Sequence, residues 1–359
     1  MAKLMSKSDF AEAVRIGNCR IGESEPAWII AEAGVNHNGD LKLALELVHA
    51  AKECGADCVK FQTFRSERIV TTASPKAAYQ LETTSASESQ YDMLKRLELD
   101  ETAFGRIAEE CGRAGITFLS TPYSAQDVDL LESIHAPAYK IASALAVEPL
   151  LLEKVASTAK PVLLSTGMCT MQEVRGAVQT LRNGSCRELI IFQCTTDYPS
   201  KLEEANLRVI AALRDEFRVP VGYSDHTVGL TAATAAVALG ACAIERHFTL
   251  DRNMPGPDHL ASSDPEEMRL LVQSVRNVEA ALGSPTKSLT ARETENKVNM
   301  RRGIVAARPL RKGCRLVVND LAFKRPLRSI PPERYNEVVG CSLKRDLDPD
   351  EPISWDDLQ

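Results

Sequence analysis

The chain has 359 residues, of which 44% are hydrophobic and 26% charged, and a formal net charge of -6. This is an ordinary globular balance, long enough for one large domain and a smaller one, and its sign argues against a basic nucleic-acid-binding face while leaving room for a locally basic pocket. No run of about 18 apolar residues is present, so no membrane span is expected.

Met1 to Glu25 is polar and mixed in charge, so no signal peptide is expected. The ten cysteines run from Cys19 to Cys341 without a CxxC pair, and they read as space-filling thiols of a reduced, cytoplasmic protein. Eight short apolar runs follow in chain order: Trp28–Glu32, Cys58–Phe64, Thr117–Tyr123, Ala138–Ser143, Pro161–Thr166, Glu188–Thr195, Pro220–His226 and Ala243–Thr249. Helical stretches lie between them at Leu41–Cys54, Glu101–Ala114, Ala125–Ile134, Met171–Leu181, Glu203–Phe217 and Gly229–Leu239. In the first of these, Leu41, Ala44, Leu45, Val48 and Ala51 recur at the helical period. Asp264-Pro265-Glu266-Glu267 supplies an N-cap, a proline at the first helical position and early acids, opening a last helix that Gly283 stops.

Strand–helix units repeated eight times predict a (β/α)8 barrel, its strands apolar on both faces as buried parallel strands are; a doubly wound open sheet is the alternative. The barrel is expected over 1–283, with an N-terminal extension over 1–26. A linker is expected over 284–299 and a small β-rich domain over 300–359, with strands near Gly303–Ala307 and Arg315–Val318.

Barrel active sites lie at the C-terminal ends of the strands. Here those ends carry Glu32, Lys60 and Gln62, Thr121, Lys140 and Ser143, Ser165, Thr196 and Tyr198, Ser224 and His226, and Glu245 and His247. A buried unpaired ammonium is costly. Lys60 and Lys140 therefore suggest a cradle for phosphate or carboxylate, or else internal salt bridges to Glu32 or Glu245. The last run breaks into "IERHFTLDRNMPGPDH", an unusual density of charge, proline and glycine. His226 and His247 end consecutive strands about 5 Å apart, so both imidazoles can reach one ion, with Glu32 and Asp258 at the same rim. Two histidines with carboxylates and water suit an open site for a divalent ion such as Mn²⁺, with Mg²⁺ or Co²⁺ as alternatives; hydrogen-bonded core histidines are the bland reading. His259 is expected behind the site or at the surface, His37 is a further candidate to line it, and His49 and His135 are expected to be structural.

The segments "AEAGVNHNG" (31–39), "VKFQTF" (59–64), "LSTPY" (119–123), "LSTGM" (164–168), "GYSDHT" (222–227), "ERHFTLD" (245–251) and "PGPDH" (255–259) closely resemble the sialic acid synthase family, which makes neuraminic, legionaminic and related nonulosonic acids. The tail, with "KRP" at 324–326, resembles that family's antifreeze-like (SAF) domain. The resemblance implies a transferase that condenses phosphoenolpyruvate with the open-chain aldehyde of an N-acylated hexosamine. It implies a divalent metal on His226 and His247, with Glu32 and Asp258 handling protons and water. Lys60, Gln62, Thr121, Lys140, Ser143, Ser165, Thr196 and Ser224 would hold phosphoenolpyruvate. Tyr198 and Asp258 would face the sugar, as would Arg325, delivered across a domain-swapped homodimer.

Two positions depart from the family pattern. Ser143-Ala144-Leu145 lacks the acid that often follows the fourth-strand lysine and contacts the sugar, and Thr196 stands where asparagine is common. Both changes point to an altered sugar preference between N-acetylmannosamine and a 2,4-diacetamido-6-deoxy analogue. Lys76-Ala77-Ala78-Tyr79-Gln80 matches the bacterial style of the family. The alternatives are a metal-dependent sugar aldolase or isomerase on the same barrel, with Lys140 as a Schiff-base nucleophile, and a non-catalytic carbohydrate-binding protein.

Overall fold

Alternation within the apolar runs decides the architecture. In the computed structural model, which describes residues 10–77, 80, 81, 84, 85 and 87–359, an antiparallel hairpin, β1 (Ala13–Ile16) and β2 (Cys19–Gly22), precedes eight parallel strands. These are β3 (Trp28–Gly34), β4 (Cys58–Thr63), β5 (Thr117–Pro122), β6 (Tyr139–Ile141), β7 (Val162–Ser165), β8 (Leu189–Cys194), β9 (Val221–Asp225) and β10 (Ala243–His247). Their order is β5-β4-β3-β10-β9-β8-β7-β6, with every neighbouring pair in that order joined by a parallel ladder. Among the described residues β5 and β6 lie side by side without a ladder, so the barrel is nearly closed.

Because successive side chains point to opposite faces, each strand splits its residues between two cores. The outward set, including Ile29, Val59, Tyr139, Leu164, Ile191 and Tyr223, packs under the surrounding helices. The inward set, including Ile30, Cys58, Leu119, Leu163, Ile190 and Phe192, fills the lower barrel. Val14, Ile16 and Ile21 of the β1–β2 hairpin join this inner cluster together with Trp28, Ala138 and Ala243 at strand starts. The hairpin thus closes the lower end, a role its short, mixed sequence does not advertise.

The helices follow their local signals. Asp40, Asp100 and Ser124 cap the helices Leu41–Glu53, Glu101–Ala114 and Ala125–Ser133. Asp264 accepts hydrogen bonds from the Glu266 and Glu267 backbone amides to start Pro265–Leu282. A short helix at Pro149–Ser157, between the fourth and fifth barrel strands, is an addition to the expected elements, burying Leu151, Leu152, Val155 and Ala156 on one face. The sixth helix is shorter than expected, Val209–Phe217, with a 3-10 turn at Leu202–Glu204 before it.

The chain divides into two compact units, Met1–Gly283 and Ser284–Gln359. In the second, the expected linker carries an exposed helix, Ala291–Met300, started by a Thr290–Glu293 capping box. Strand β11 (Gly303–Ala306) pairs antiparallel with β12 (Leu321–Lys324) over a small core of Ile304, Leu316, Leu343 and Ile353. The expected strand at Arg315–Val318 is reduced to a single bridge between Arg315 and Ser342.

Inside the barrel, Gly222 lies under the Phe192 ring, and a Cβ there would meet the ring at 2.6 Å. Gly222→Ala should therefore destabilise the chain by about 1–3 kcal/mol through overpacking, measured as a lowered midpoint in urea unfolding. An unchanged midpoint would show that the interior is loosely packed.

Candidate active site

The inward-facing positions change character one layer above Phe192. Glu32, Lys60, Thr121, Lys140, Ser165, Ser224 and Glu245 replace the apolar side chains and floor a cavity of about 590 Å³ at the strand C-termini. Gln62, Ser143, Cys194, Thr196, Tyr198, His226, His247 and Asp258 line it higher up.

The floor is a buried lattice of four charges. Lys60 Nζ lies 2.6 Å from Glu32 Oε2 and 3.8 Å from Glu245 Oε2, and Lys140 Nζ lies 3.3 Å from Glu245 Oε1. All four side chains are nearly inaccessible to solvent, at 2–5%. The salt bridges considered from sequence are thus present. Their hydroxyl partners are present as well: Lys60 reaches Thr121 Oγ1 at 3.3 Å, Lys140 donates to Ser165 Oγ at 2.6 Å, and Ser224 donates to Glu245 Oε1 at 3.0 Å. An ammonium has three N–H donors. Lys60 donates one to Thr121 and Lys140 one to Ser165, and each also stands in ion-pair contact with a floor carboxylate, so neither ammonium is saturated by hydrogen bonds. Gln62 donates to Glu32 Oε1 at 3.0 Å, and Ser143 Oγ accepts from the Gly167 backbone amide at 2.9 Å. The Thr196 hydroxyl oxygen is buried without a hydrogen-bond partner.

Burial acts on all four charges, and the pairing decides the outcome. Burial raises Glu245, but Lys140 and then Lys60 outweigh it and hold the carboxyl at about 2. Burial wins at Glu32, whose pKa is raised despite Lys60. Burial opposes the charge on Lys60, but Glu245 and Glu32 together raise its pKa. Lys140 is lowered, burial exceeding the pull of Glu245. Its Nζ lies 5.4 Å from the centroid of the Phe192 ring.

Above the floor, the His226 and His247 rings have centroids 5.4 Å apart, and Tyr198 packs on both at 4.2 and 5.5 Å. His226 Nδ1 lies 2.7 Å from the Thr195 carbonyl oxygen. A carbonyl only accepts, so that nitrogen carries a proton, and in the neutral ring Nε2 keeps its lone pair, the tautomer a ligating histidine needs; burial opposes the charged form, but Cys194 and the Thr195 carbonyl raise the ring's pKa. Burial, then His226 and Lys60, push His247 well below its usual pKa. His247 Nδ1 stands 3.9 Å from Asp258 Oδ2. Burial, then the Glu32 charge, push Asp258 up to about 7. Among the described residues no group of three or more His, Cys, Asp or Glu stands in a metal-holding arrangement. The two imidazoles, with Asp258 beside them, are nitrogen and oxygen donors of the kind an open divalent-ion site uses.

Asp258 is held by residues that sequence reasoning passes over. Asn36 donates to the Phe248 carbonyl at 2.9 Å and to Ser262 Oγ at 2.8 Å, and Ser262 donates to the Asp258 carbonyl at 2.6 Å. Asn38 donates to the Pro255 carbonyl at 2.9 Å. His259 is fully buried between Thr249 Oγ1, at 2.6 Å, and Asn38 Oδ1, at 3.3 Å, so it belongs behind the Asp258 loop and not at the surface. His37 is buried against Phe61 and accepts from the Gly39 amide at 3.1 Å; it does not line the cavity. His49 pairs with Glu110 on the outer helices at 3.1 Å. Arg246, pointing out of the barrel, pairs with Asp225 at 2.5 Å and ties β9 to β10. Cys194 is a further missed residue: burial raises its thiol, but the adjacent His226 brings the pKa below the usual value. Arg325 lies in the second unit, exposed and without an ion-pair partner among the described residues.

The comparisons with known proteins place the chain in a family. The NeuB family model matches residues 47–287 and the SAF domain model matches residues 301–359. This chain belongs to the NeuB family. N,N'-diacetyllegionaminic acid synthase of Legionella pneumophila is 44% identical over 94% of this chain and 96% of its own. The Campylobacter jejuni enzyme of the same name is 42% identical over 90% and 98%. The crystal structure of N-acetylneuraminic acid (sialic acid) synthetase from Leptospira borgpetersenii, 31% identical, matches with a TM-score of 0.70 over 80% of this chain and 95% of that one.

The lattice makes a stability prediction for this NeuB-family chain. Lys60→Met leaves Glu32 and Glu245 short of a counter-charge in a buried site and should cost about 3–5 kcal/mol. Adding Glu32→Gln should recover part of that loss in denaturant unfolding. A double variant no more stable than Lys60→Met would mean that the two charges do not depend on each other.

Proposed function

We propose that the chain condenses phosphoenolpyruvate with the open-chain aldehyde of an N-acylated hexosamine, giving a nine-carbon 2-keto-3-deoxy acid and phosphate. The observation that carries this reading is the pair of donor-bearing lysines set on a carboxylate lattice directly beneath two histidines. The methylene carbon of phosphoenolpyruvate bonds to the sugar's aldehyde carbon, water adds to the second carbon, and the C–O bond to phosphate breaks.

The remaining N–H donors of Lys60 and Lys140 bind the phosphate and carboxylate, as charge-assisted hydrogen bonds in a low-dielectric floor. Thr121, Ser143, Ser165, Thr196 and Ser224, with Gln62, complete the cradle; the unpartnered Thr196 hydroxyl supports this assignment. Glu32, next to Lys60 and Gln62, orients the incoming water and takes its proton. Asp258 faces the sugar from the loop braced by Asn36 and Asn38, and Tyr198 supplies a ring against the same ligand. His226 and His247 would hold a divalent ion, Mn²⁺ in this reading with Mg²⁺ or Co²⁺ as alternatives, which when bound polarises the sugar carbonyl as a Lewis acid.

A domain-swapped homodimer that brings Arg325 to the sugar's acyl group belongs to the same proposal, supported by that arginine's exposure and its lack of an ion-pair partner among the described residues. So does a cytoplasmic location, supported by ten unpaired cysteines. Among the described residues no helix is long and apolar enough to cross a membrane.

The test is incubation with phosphoenolpyruvate, Mn²⁺ and free hexosamines, following phosphate and the product's mass. Turnover should require both substrates and the metal, and His247→Ala should lower kcat by at least about a hundredfold, the loss typical when a polarising group is removed. Undiminished turnover in His247→Ala would remove the metal role, and no phosphate from any sugar would remove the reaction.

A further inference from the structure

Glu32 is the carboxylate to which the proposed reaction gives the water, and each of its oxygens has a neighbour. Oε2 faces Lys60 at 2.6 Å, and Oε1 accepts from Gln62 Nε2 at 3.0 Å. A side-chain amide carries a donor at one end and an acceptor at the other in nearly the same shape. What meets Glu32 therefore depends on what holds the far end of Gln62. That end is held by Tyr123, the residue that follows β5, whose hydroxyl donates to Gln62 Oε1 at 3.3 Å. Turned over, the amide would set its carbonyl oxygen against the Glu32 carboxylate, acceptor to acceptor.

The chain of contacts is built from adjacent strands. Glu32 lies on β3, Gln62 on β4 and Tyr123 just beyond β5. Tyr123 is anchored at both ends: its backbone amide donates to the Thr63 carbonyl at 3.2 Å, and its ring meets Phe64 edge-on with centroids 5.9 Å apart. On the other side, Gly34 stands at an irregularity in the β3–β4 ladder with a φ of +53°. A Cβ there would lie 3.3 Å from both Gln62 Nε2 and Glu32 Oε1, so a bare backbone closes over this contact. Burial, then the Glu32 and Asp258 charges, push the Tyr123 phenol above its usual pKa, and it stays protonated through the neutral range.

Resting on the reaction proposed above, we infer that Tyr123 is a positioning residue for the addition of water: through Gln62 it fixes the Glu32 carboxylate in the orientation that receives the water's proton. In that step the water oxygen bonds to the second carbon of phosphoenolpyruvate, one water proton passes to Glu32, and the C–O bond to phosphate then breaks. Tyr123 itself makes and breaks no covalent bond.

Tyr123→Phe keeps the ring against Phe64 and removes the hydroxyl alone. The assay uses phosphoenolpyruvate, Mn²⁺ and whichever of N-acetylmannosamine and 2,4-diacetamido-2,4,6-trideoxymannose the unaltered chain turns over faster. The variant should lower kcat by about tenfold, a part of the roughly 10²–10⁴ that a well-placed base contributes. KM for phosphoenolpyruvate should not move, because Lys60 and Lys140 keep their partners. The solvent deuterium isotope effect on kcat should grow as proton transfer from water slows, a change that a packing fault does not produce. In a Gln62→Ala background, Tyr123→Phe should bring no further loss. An undiminished kcat, a change confined to KM, an isotope effect equal to the parent's, or the full loss on top of Gln62→Ala would overturn the role of Tyr123 while leaving the condensation standing. No phosphate release by the unaltered chain with either sugar would overturn the condensation and this inference together.

Discussion

The lattice of Glu32, Lys60, Glu245 and Lys140 is the constraint on which the rest depends. Four charges on four barrel strands are taken almost wholly out of water, and isolated burial of any of them would be prohibitive. They persist because neighbouring ladders set Glu32 beside Lys60 on β3 and β4 in direct register, and because β10, next to β3, brings Glu245 within reach of both lysines. The same low dielectric that makes pairing obligatory makes the spare lysine donors strong toward an anion.

Strand parity joins this chemistry to folding. A shift of one residue on any strand would send a lysine or glutamate outward under the helices and an apolar residue into the site. The apolar lower interior, closed by the β1–β2 hairpin and wedged by Phe192 over Gly222, fixes that parity from below. The hydrogen bonds from Asn36 and Asn38 to the 248–262 loop fix the upper rim. The charged layer lies between a packed layer and a hydrogen-bonded one, which is the arrangement electrostatic preorganisation requires.

Much of this was legible in the sequence, for identifiable reasons. Runs buried on both faces and capped helices announced the barrel, and the polar residues ending each run fell in a floor layer and a rim above it because strand periodicity is strict. His226 and His247 were found by adjacency of strands alone. What escaped was non-local or masked by composition. The hairpin residues Val14, Ile16 and Ile21 look ordinary until the barrel's lower end needs covering. Pro149–Ser157 has a helical face, Leu151, Leu152, Val155 and Ala156, but it is only about two turns long between two strands. His37 was assigned to the lining by proximity to a motif, but it is buried against Phe61 and accepts from the Gly39 amide away from the cavity, whereas His259 lies behind the site as one of its expected placements. The contact of Tyr123 with Gln62 joins two separate motifs and emerges only from side-chain geometry; Ala78 and Tyr79 of the 76–80 segment lie outside the described residues.

The proposed chemistry turns on which bond of phosphoenolpyruvate breaks. The most direct measurement uses phosphoenolpyruvate labelled with ¹⁸O in the bridging oxygen, turned over with a diacetamido sugar and Mn²⁺, with both products weighed by mass spectrometry. Cleavage of the C–O bond after attack of water on the second carbon predicts that the label leaves in phosphate. Label retained in the 2-keto acid would mean P–O cleavage, and would contradict addition of water to the second carbon and the water-activating role of Glu32.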